Sequence, residues 1–441
     1  MSWLRHRQPL LLSALLDGLA MLLIAFLLDG MRYGTVLSQP VTLIGVLFCY
    51  WGLGWLFGSY SMLRWPRLRW PLLIGRVSLT AVATLTLVLL IGWVWHISPL
   101  DLPLLQRGSL GPLLLGTGLA SVVIRAWLHH LGRQQLPQWS ALASPAEQQE
   151  LVREWRRQRG SHNRPQPELI DPQSLAPTIR EQGRLLAISP EMEQRTDLQP
   201  LLEKALGQGM RLSSLAQLAE EELQRIPPQW LDKSLLHLGH RADGRQRGLN
   251  RQLKRFADLL LSSLLLLLAL PLLLPVALAI YLQDRGPVFY SQIRTGLFGE
   301  PFQIHKLRSM SQQAETDGPR WSPVADNRIT PLGNWLRRSR LDELPQLLNV
   351  IRGEMSLIGP RPERPELEEA LEEQIPHYRL RHLVRPGLSG WAQVNMSYAS
   401  SLDDAELKLS YDLYYLRNAS LWLDLLIMAK TIKTVLKGAG R

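Results

Sequence analysis

Residues 257–282 read ADLLLSSLLLLLALPLLLPVALAIYL, with Pro271 and Pro275 inside the run. The run exceeds the ~20 apolar residues that a helix needs to cross the hydrocarbon core. Arg251, Lys254 and Arg255 precede it, and Arg285, Arg294, Lys306 and Arg308 follow it. Basic residues beside an apolar segment stay cytoplasmic, so both flanks favour the same side. A proline removes a backbone donor and bends a helix. The run is therefore expected to form a re-entrant helix-break-helix hairpin bent at Pro271, entering and leaving the membrane on one face. Its alternative is a proline-kinked true span. Unsatisfied backbone is costly in hydrocarbon, so the bend is expected to lie shallow.

Upstream, apolar runs at 10–29, 41–59, 72–95 and 109–128 each approach the length of a span. Four spans return the chain to its starting side. Arg5 and Arg7 precede the first and Arg64, Arg67 and Arg69 separate the second from the third, whereas Arg32 and Arg107 stand alone in the other loops. Basic loops stay inside, which puts the N-terminus and everything after residue 130 in the cytoplasm. Trp51, Trp65, Trp70, Trp93 and Trp95 cluster at span ends and read as interfacial anchors. Asp17 lies inside the first span with no basic partner visible in the sequence, which weakens a functional reading. The first run has no small-residue cleavage site and three more runs follow, so it is not a removable signal peptide. A mean hydropathy of −0.03 conceals this membrane part. The single cysteine, Cys49, excludes an intrachain disulfide framework and a cysteine-cluster metal site. A net charge of +11 asks for an anionic partner, and the spans favour anionic lipid or a phosphorylated substrate over nucleic acid.

Residues 131–226 alternate short apolar runs (WSALAS, PELI, RLLAIS) with amphipathic stretches such as PAEQQELVREWRRQ. This pattern predicts a small Rossmann-like α/β domain. Its first turn, Ser144-Pro145-Ala146, lacks the glycines that let backbone approach a pyrophosphate, so a structural or regulatory role is expected. IPPQW at 226–230 opens a stretch, 227–250, that reads with its basic continuation as a linker along an anionic membrane surface. Residues 251–441 form the remaining domain.

Chemistry concentrates there. In LDELPQLLNVIRG, residues 341–353, Leu344, Leu347, Leu348 and Ile351 fall on one helical face. Asp342 would then be the N-cap and Glu343 a first-turn residue, with Pro345 tolerated. Capping and the helix dipole explain such acids without catalysis. The surroundings shift the balance: Arg337 and Arg338 come just before, and Arg361 stands between Pro360 and Pro362. Guanidinium groups bind phosphate oxygens bidentately. Among arginines Asp342 is expected to stay ionised, suited to act as a nucleophile towards phosphorus while the arginines stabilise phosphoryl charge. Mg²⁺ is the ion suited to bridge Asp342, Glu343 and a diphosphate. Lys306, Arg308 and Arg294 are further phosphate-binding candidates, and equally well membrane-facing basic residues. His305 reads as a packing residue. No P-loop, HExxH or Cys/His pattern is present, which excludes those nucleotide and zinc hydrolases. No aromatic or zinc nucleic-acid motif accompanies the basic surface. The run 421–436, with Lys430 and Lys433, predicts an amphipathic helix on the membrane or against the core.

The region 254–362, with GPVFYSQIRTG, FQIHKLRSM and SLIGPRP, and its continuation RPGLSGWAQVN at 385–395, resembles the bacterial sugar transferase family of polyprenyl-phosphate phosphoglycosyl transferases. The spans and the middle domain resemble its long members, such as undecaprenyl-phosphate galactose phosphotransferases. The resemblance implies transfer of a sugar 1-phosphate from a UDP-sugar to undecaprenyl phosphate, with release of UMP, at the start of exopolysaccharide, capsule or O-antigen synthesis. It implies that Asp342 is the nucleophile forming a covalent phosphosugar intermediate, Glu343 its partner and Arg361 a phosphate ligand. It also implies a bacterial inner-membrane location with a cytoplasmic catalytic domain. A homodimer is left open. Leu270 replaces the usual serine before Pro271, Arg340 a serine and Met396 a glycine. The rival reading is a non-catalytic scaffold for envelope polysaccharide assembly, against which the intact Asp342, Glu343 and Arg361 argue. The fold class expected is thus a membrane protein, α plus α/β. It would comprise a four-helix transmembrane bundle over 1–130, the α/β domain, and a mainly helical catalytic domain carrying the hairpin.

Overall fold

The computed structural model describes residues 8–31, 40–60, 70–94, 107–133, 139–157, 166–170, 185–231, 249–312, 326–396 and 401–436. Arg5, Arg7, Arg32, Arg64, Arg67 and Arg69, on which the orientation argument rests, and Trp65 and Trp95 lie outside these. The chain divides into two compact units, residues 1–140 with 156–168 and residues 141–155 with 169–441.

The first unit holds α1 (Gln8–Met31), α2 (Pro40–Phe57), α3 (Trp70–Val94) and α4 (Arg107–Arg133). Among the described residues five helices are long and apolar enough to cross a membrane: these four and one in the second unit. The protein is a mostly helical membrane protein with small sheets. On α1 the stripe Ser13, Asp17, Met21 and Ala25 is buried, and Leu11, Leu15, Leu19, Leu22 and Phe26 face outward. That division follows the i, i+4 geometry of a helix with one packed side. Met21 and Ala25 pack with Leu43, Val46 and Tyr50 of α2, Val88 of α3, and Leu110, Leu113 and Leu114 of α4.

Asp17 does have a basic partner. Arg125 of α4 clamps it bidentately at 2.8 and 3.1 Å, and the Ser121 hydroxyl donates to the same carboxylate at 2.7 Å. Arg125 also donates to the Ser59 carbonyl at 3.3 Å and lies 4.7 Å from the Tyr60 ring centroid. A carboxylate in an apolar helix persists only when it is paired in this way.

After α4 the chain forms β1 (Trp139–Leu142), α5 (Pro145–Arg157), β2 (Glu168–Ile170), β3 (Leu185–Ile188), α6 (Pro190–Glu193), α7 (Gln199–Gly207), β4 (Arg211–Ser214) and α8 (Leu215–Glu222). The strands order as β2-β1-β3-β4, with β3 and β4 parallel. At the first turn Glu147 accepts the Ser144 amide at 3.1 Å and the Glu191 amide at 3.3 Å. The chain's own carboxylate thus caps the α5 N-terminus, where a nucleotide-binding fold would hold phosphate.

IPPQW, which opens the expected linker, is buried against protein. Ile226, Pro227, Pro228 and Trp230 are buried; the Ile226 amide donates to the Ser410 carbonyl at 2.8 Å, and the Trp230 indole N–H to Glu150 at 3.3 Å. Its apolar side chains find a protein face to cover, which offsets the pull of the basic residues around them. The remaining linker residues, 232–248, lie outside the described ones.

The C-terminal part opens with α9 (Leu249–Asp284), then the antiparallel hairpin β5 (Phe289–Thr295) and β6 (Pro301–Leu307). There follow α10 (Pro331–Ser339), a 3₁₀ turn (Leu341–Gln346), α11 (Leu347–Arg352), β7 (Ser356–Ile358), α12 (Pro365–Gln374), a 3₁₀ turn (Tyr378–Leu383), β8 (Gly387–Ser389), α13 (Trp391–Asn395), α14 (Leu402–Asn418) and α15 (Leu421–Leu436). β7 and β8 pair in parallel.

In place of two helices separated by a break at Pro271, α9 is a single 36-residue helix carrying both prolines. In an apolar helix a proline kinks the rod without ending it, because local adjustments re-satisfy the freed carbonyls. A straight helix of this length would span ~54 Å, yet both ends of α9 anchor on the same body. At the N-terminal end Lys254 pairs with Asp424 at 2.7 Å, Arg255 donates to the Val350 and Ile351 carbonyls, and Asp258 accepts the Leu357 amide. At the other end Val276 and Ile280 pack with Leu307 and Leu336, and Asp284 pairs with Arg308. Between these anchors Leu264, Leu267, Leu268, Leu270 and Leu274 are exposed. On α15, Leu423 and Ile427 are buried while Trp422, Leu425, Ile432 and Leu436 are exposed, an amphipathic helix seated on the core.

Candidate active site

The carboxylate pair owes its setting to a reversal in the backbone. Thr330 caps α10 by accepting the Gly333 amide at 2.9 Å, and α10 ends at Arg340, whose φ of 59° and ψ of 18° are left-handed. A non-glycine residue in that region carries strain that its surroundings must hold. From Arg340 the chain turns directly into the 3₁₀ segment, so Asp342 and Glu343 occupy its first turn and neither is an N-cap. Pro345 has no N–H to place in an α-helical ladder, and in 3₁₀ geometry residues i and i+3 eclipse. The inward face is accordingly rotated from the expected one: Leu347 and Val350 are buried, and Leu348 is exposed.

Glu343 sits in a cage of cations. Its Oε1 accepts from Arg361 at 2.6 Å and lies 3.5 Å from the Lys306 ammonium; its Oε2 accepts from Arg340 at 3.2 Å. Burial pushes the carboxyl up, but Arg361, Lys306 and Arg340 outweigh it and hold Glu343 well below the usual range. Asp342 is equally buried and differently treated. Its Oδ1 accepts no hydrogen bond. Burial, then the charge on Glu343, pushes its carboxyl up to about 6 against Lys306, Arg337 and Arg340. The depression expected of Asp342 among these arginines falls on Glu343 instead, and Asp342 lies above the ordinary aspartate range. Asp342 is thus more basic than an ordinary aspartate and has an oxygen unengaged. Lys306 is lowered to about 8 by burial, with Glu343 opposing.

The other predicted residues divide. Lys306 and Arg361 join the pair directly. Arg337 donates to the Ser309 hydroxyl at 3.0 Å and its charge reaches Asp342. Arg338 is exposed. Arg308 is committed to Asp284 at the end of α9. Arg294 donates to the Pro362 carbonyl at 3.2 Å, bracing the Pro-Arg-Pro loop. That loop lies against the β8 strand: the Gly359 amide donates to Ser389 at 2.9 Å and the Gly387 amide to Pro360 at 2.8 Å. A side chain at Gly359 would meet the Arg385 carbonyl, so the close approach requires glycine. His305 hydrogen-bonds Ser291 across the β5–β6 hairpin at 2.9 Å. Sequence reasoning missed Arg340 as a member of the cage. Its signal was its place three residues before Glu343, in a run already holding Arg337 and Arg338.

A buried acid with an unengaged oxygen, beside a second acid neutralised by three cations, suits attack on a phosphate-like centre. Comparison with known proteins identifies the family. The bacterial sugar transferase family model matches residues 249–438. The chain is 46% identical over 188 residues to the UDP-N-acetylgalactosamine-undecaprenyl-phosphate N-acetylgalactosaminephosphotransferase of Aeromonas hydrophila, covering 43% of this chain and 44% of that one. It is 42% identical over 187 residues to the UDP-glucose:undecaprenyl-phosphate glucose-1-phosphate transferase of Escherichia coli K12, 42% of this chain and 40% of that one. These matches span less than half of either relative. An uncharacterised sugar transferase of Bacillus subtilis is 38% identical over 193 residues, 43% of this chain and 89% of that protein. The chain belongs to the bacterial sugar transferase family of polyprenyl-phosphate phosphoglycosyl transferases.

Proposed function

We propose that this protein transfers a sugar 1-phosphate from a UDP-sugar to undecaprenyl phosphate. An Asp342 carboxylate oxygen attacks the sugar-bearing phosphorus, the bond to the bridging diphosphate oxygen breaks, and UMP leaves with the electron pair. A phosphate oxygen of undecaprenyl phosphate then attacks the same phosphorus, displacing Asp342 and forming undecaprenyl-diphosphate-sugar. Arg361, Lys306 and Arg340 are set to bind the phosphoryl oxygens, with Arg337 behind Asp342, and Glu343 holds that cage together. The observation that carries the reading is the inequality of the pair: Asp342 has a buried oxygen with no partner, whereas Glu343 is engaged at both oxygens.

Among the described residues no group of three or more His, Cys, Asp or Glu gathers as a metal site. Mg²⁺ asks for less, binding through one or two carboxylates and the substrate phosphates. The unpartnered Oδ1 of Asp342 fits that demand, with Glu343 adjacent. Mg²⁺ held there would neutralise diphosphate charge and favour departure of UMP.

The same reading takes α1–α4 as a transmembrane bundle, the β2-β1-β3-β4 layer as a Rossmann-like domain without a cofactor, and α9 as a re-entrant element bent at Pro271. Anchoring of both ends of α9 on the catalytic half supports the last. The site would then open at the cytoplasmic face of a bacterial inner membrane, against anionic lipid, where lipid phosphate and nucleotide sugar meet and envelope polysaccharide synthesis begins. The two relatives' names differ in sugar, so the test is UMP release by the purified protein across UDP-glucose, UDP-galactose and their N-acetylated forms with undecaprenyl phosphate. Release with one of them supports the proposal; release with none favours the scaffold.

A further inference from the structure

Behind the Pro-Arg-Pro loop lies a second buried charge cluster that the chemistry above leaves unused. At its centre is Arg381, of the 3₁₀ turn Tyr378–Leu383, only 3% exposed. Its guanidinium donates to the main-chain carbonyl of Arg361 at 2.7 Å and to the Tyr378 hydroxyl at 2.7 Å. The carboxylates of Asp412 on α14 and Glu368 on α12 lie 3.1 and 3.3 Å from it.

The three carbonyls of the loop are each held by a donor from a different element. Pro360 accepts from the Gly387 amide at 2.8 Å, Arg361 from Arg381 at 2.7 Å and Pro362 from Arg294 at 3.2 Å. The next residue, Glu363, is paired with Lys408, and its carbonyl accepts the Thr295 amide at 3.0 Å. Two of these donors are ordinary backbone amides that any neighbouring segment supplies. Arg381 is different, because Glu368 and Tyr378 accept from its fork, Asp412 balances its charge and the carbonyl it holds is that of Arg361. A cluster needed for packing alone would be replaceable by apolar residues of similar volume.

We infer that Arg381 is a positioning residue, fixing the Arg361 main chain so that the Arg361 guanidinium stands at Glu343 and faces the phosphoryl group. This rests on the phosphoryl-transfer reading of Asp342, Glu343 and Arg361. Lysine at 381 keeps the charge among Glu368 and Asp412 but cannot reproduce the planar fork that holds carbonyl, hydroxyl and carboxylates together.

The experiment is a double-mutant cycle on the full-length protein in nanodiscs, reading kcat/KM for UMP release beside the thermal unfolding midpoint. Arg381→Lys is expected to lose about 10–100-fold, the range seen when a group orienting a directly acting residue is removed. Arg361→Ala is expected to lose more, and adding Arg381→Lys to it to cost nothing further, because the group being positioned is gone. The same factor lost in both backgrounds would show a purely structural role and overturn the inference, as would wild-type activity of Arg381→Lys. If Arg381→Lys does not accumulate folded, Asp412→Asn serves, with a smaller loss expected that again vanishes in the Arg361→Ala background; persistence of that loss overturns the inference. Wild-type activity of Arg361→Ala alone would instead sink the active-site reading.

Discussion

Asp17 and Asp342 are both buried beside arginine, and they are treated in opposite ways. Asp17 in α1 has both oxygens engaged, by Arg125 and Ser121. Asp342 in the 3₁₀ turn has cations near it but a buried oxygen that accepts nothing. Burial and a charged partner therefore do not separate a structural acid from a reactive one; what differs between these two is how far the carboxylate's hydrogen-bonding capacity is used up. The saturated Asp17 carboxylate is a strut, whereas Asp342, unsaturated beside the neutralised Glu343, keeps an oxygen that can react.

The sharpest way to break this comparison is to remove each charge. Asp342→Asn is expected to lower turnover by at least about 10³-fold, because an amide oxygen is no nucleophile towards phosphorus. It should not unfold the protein. The folded carboxyl of Asp342 lies above its unfolded value, so its stabilising contribution is present below about pH 4 and is lost as pH rises through about 6. At neutral pH the asparagine variant is therefore expected to melt no lower than wild type, as read by thermal unfolding.

The pH dependence of turnover is the next largest effect. Attack requires the ionised form, so the rate should rise with pH through an apparent pKa near 6 set by Asp342. Between pH 7 and pH 5 a loss of about tenfold follows from that titration alone. An acidic limb below pH 4.5 would mean that Asp342 is held as low as Glu343 and that the two acids are not differentiated.

Asp17→Asn sharpens the comparison from the other side. It leaves Arg125 buried without its charge, a defect worth about 3–5 kcal/mol in a buried pair. The thermal midpoint of the full-length protein should fall, while kcat of the protein that remains folded should stay within about twofold of wild type. A large loss of kcat at unchanged stability would give Asp17 a role in the reaction.

The smallest effect expected is that of removing residues 1–247. The motifs for chemistry lie after Arg251, and the family model matches residues 249–438. Removal strips Gln224, whose carbonyl accepts the Trp391 indole N–H at 2.9 Å, and Glu220, which accepts from Asn418 at 2.7 Å. UMP release in nanodiscs should persist with a lower thermal midpoint. A truncated chain that is folded yet inert would place part of the site upstream.

The sequence made the Asp342–Glu343–Arg361 constellation legible because its members lie within 20 residues and two prolines direct the arginine. It hid the register of that site, since the turn depends on Arg340 adopting a left-handed backbone that arginine seldom takes. The Asp17–Arg125 pair was hidden for another reason: its partners are 108 residues apart on different helices, and an apolar pattern does not say which helices meet. The same distance effect diverts Arg308 to Asp284 and buries IPPQW against Ser410 and Glu150. Local charge patterns record which groups are available, while long-range packing decides which of them are used up.

The central claim is that Asp342 carries the phosphosugar between the two substrates. Its most direct test is mass spectrometry of the protein, quenched after mixing with a turned-over UDP-sugar in the absence of undecaprenyl phosphate. One sugar phosphate should appear on the peptide containing Asp342, matched by a stoichiometric burst of UMP, and it should disappear when undecaprenyl phosphate is added. Turnover with no adduct at any stage, or an adduct on another residue that persists in Asp342→Asn, would contradict the account.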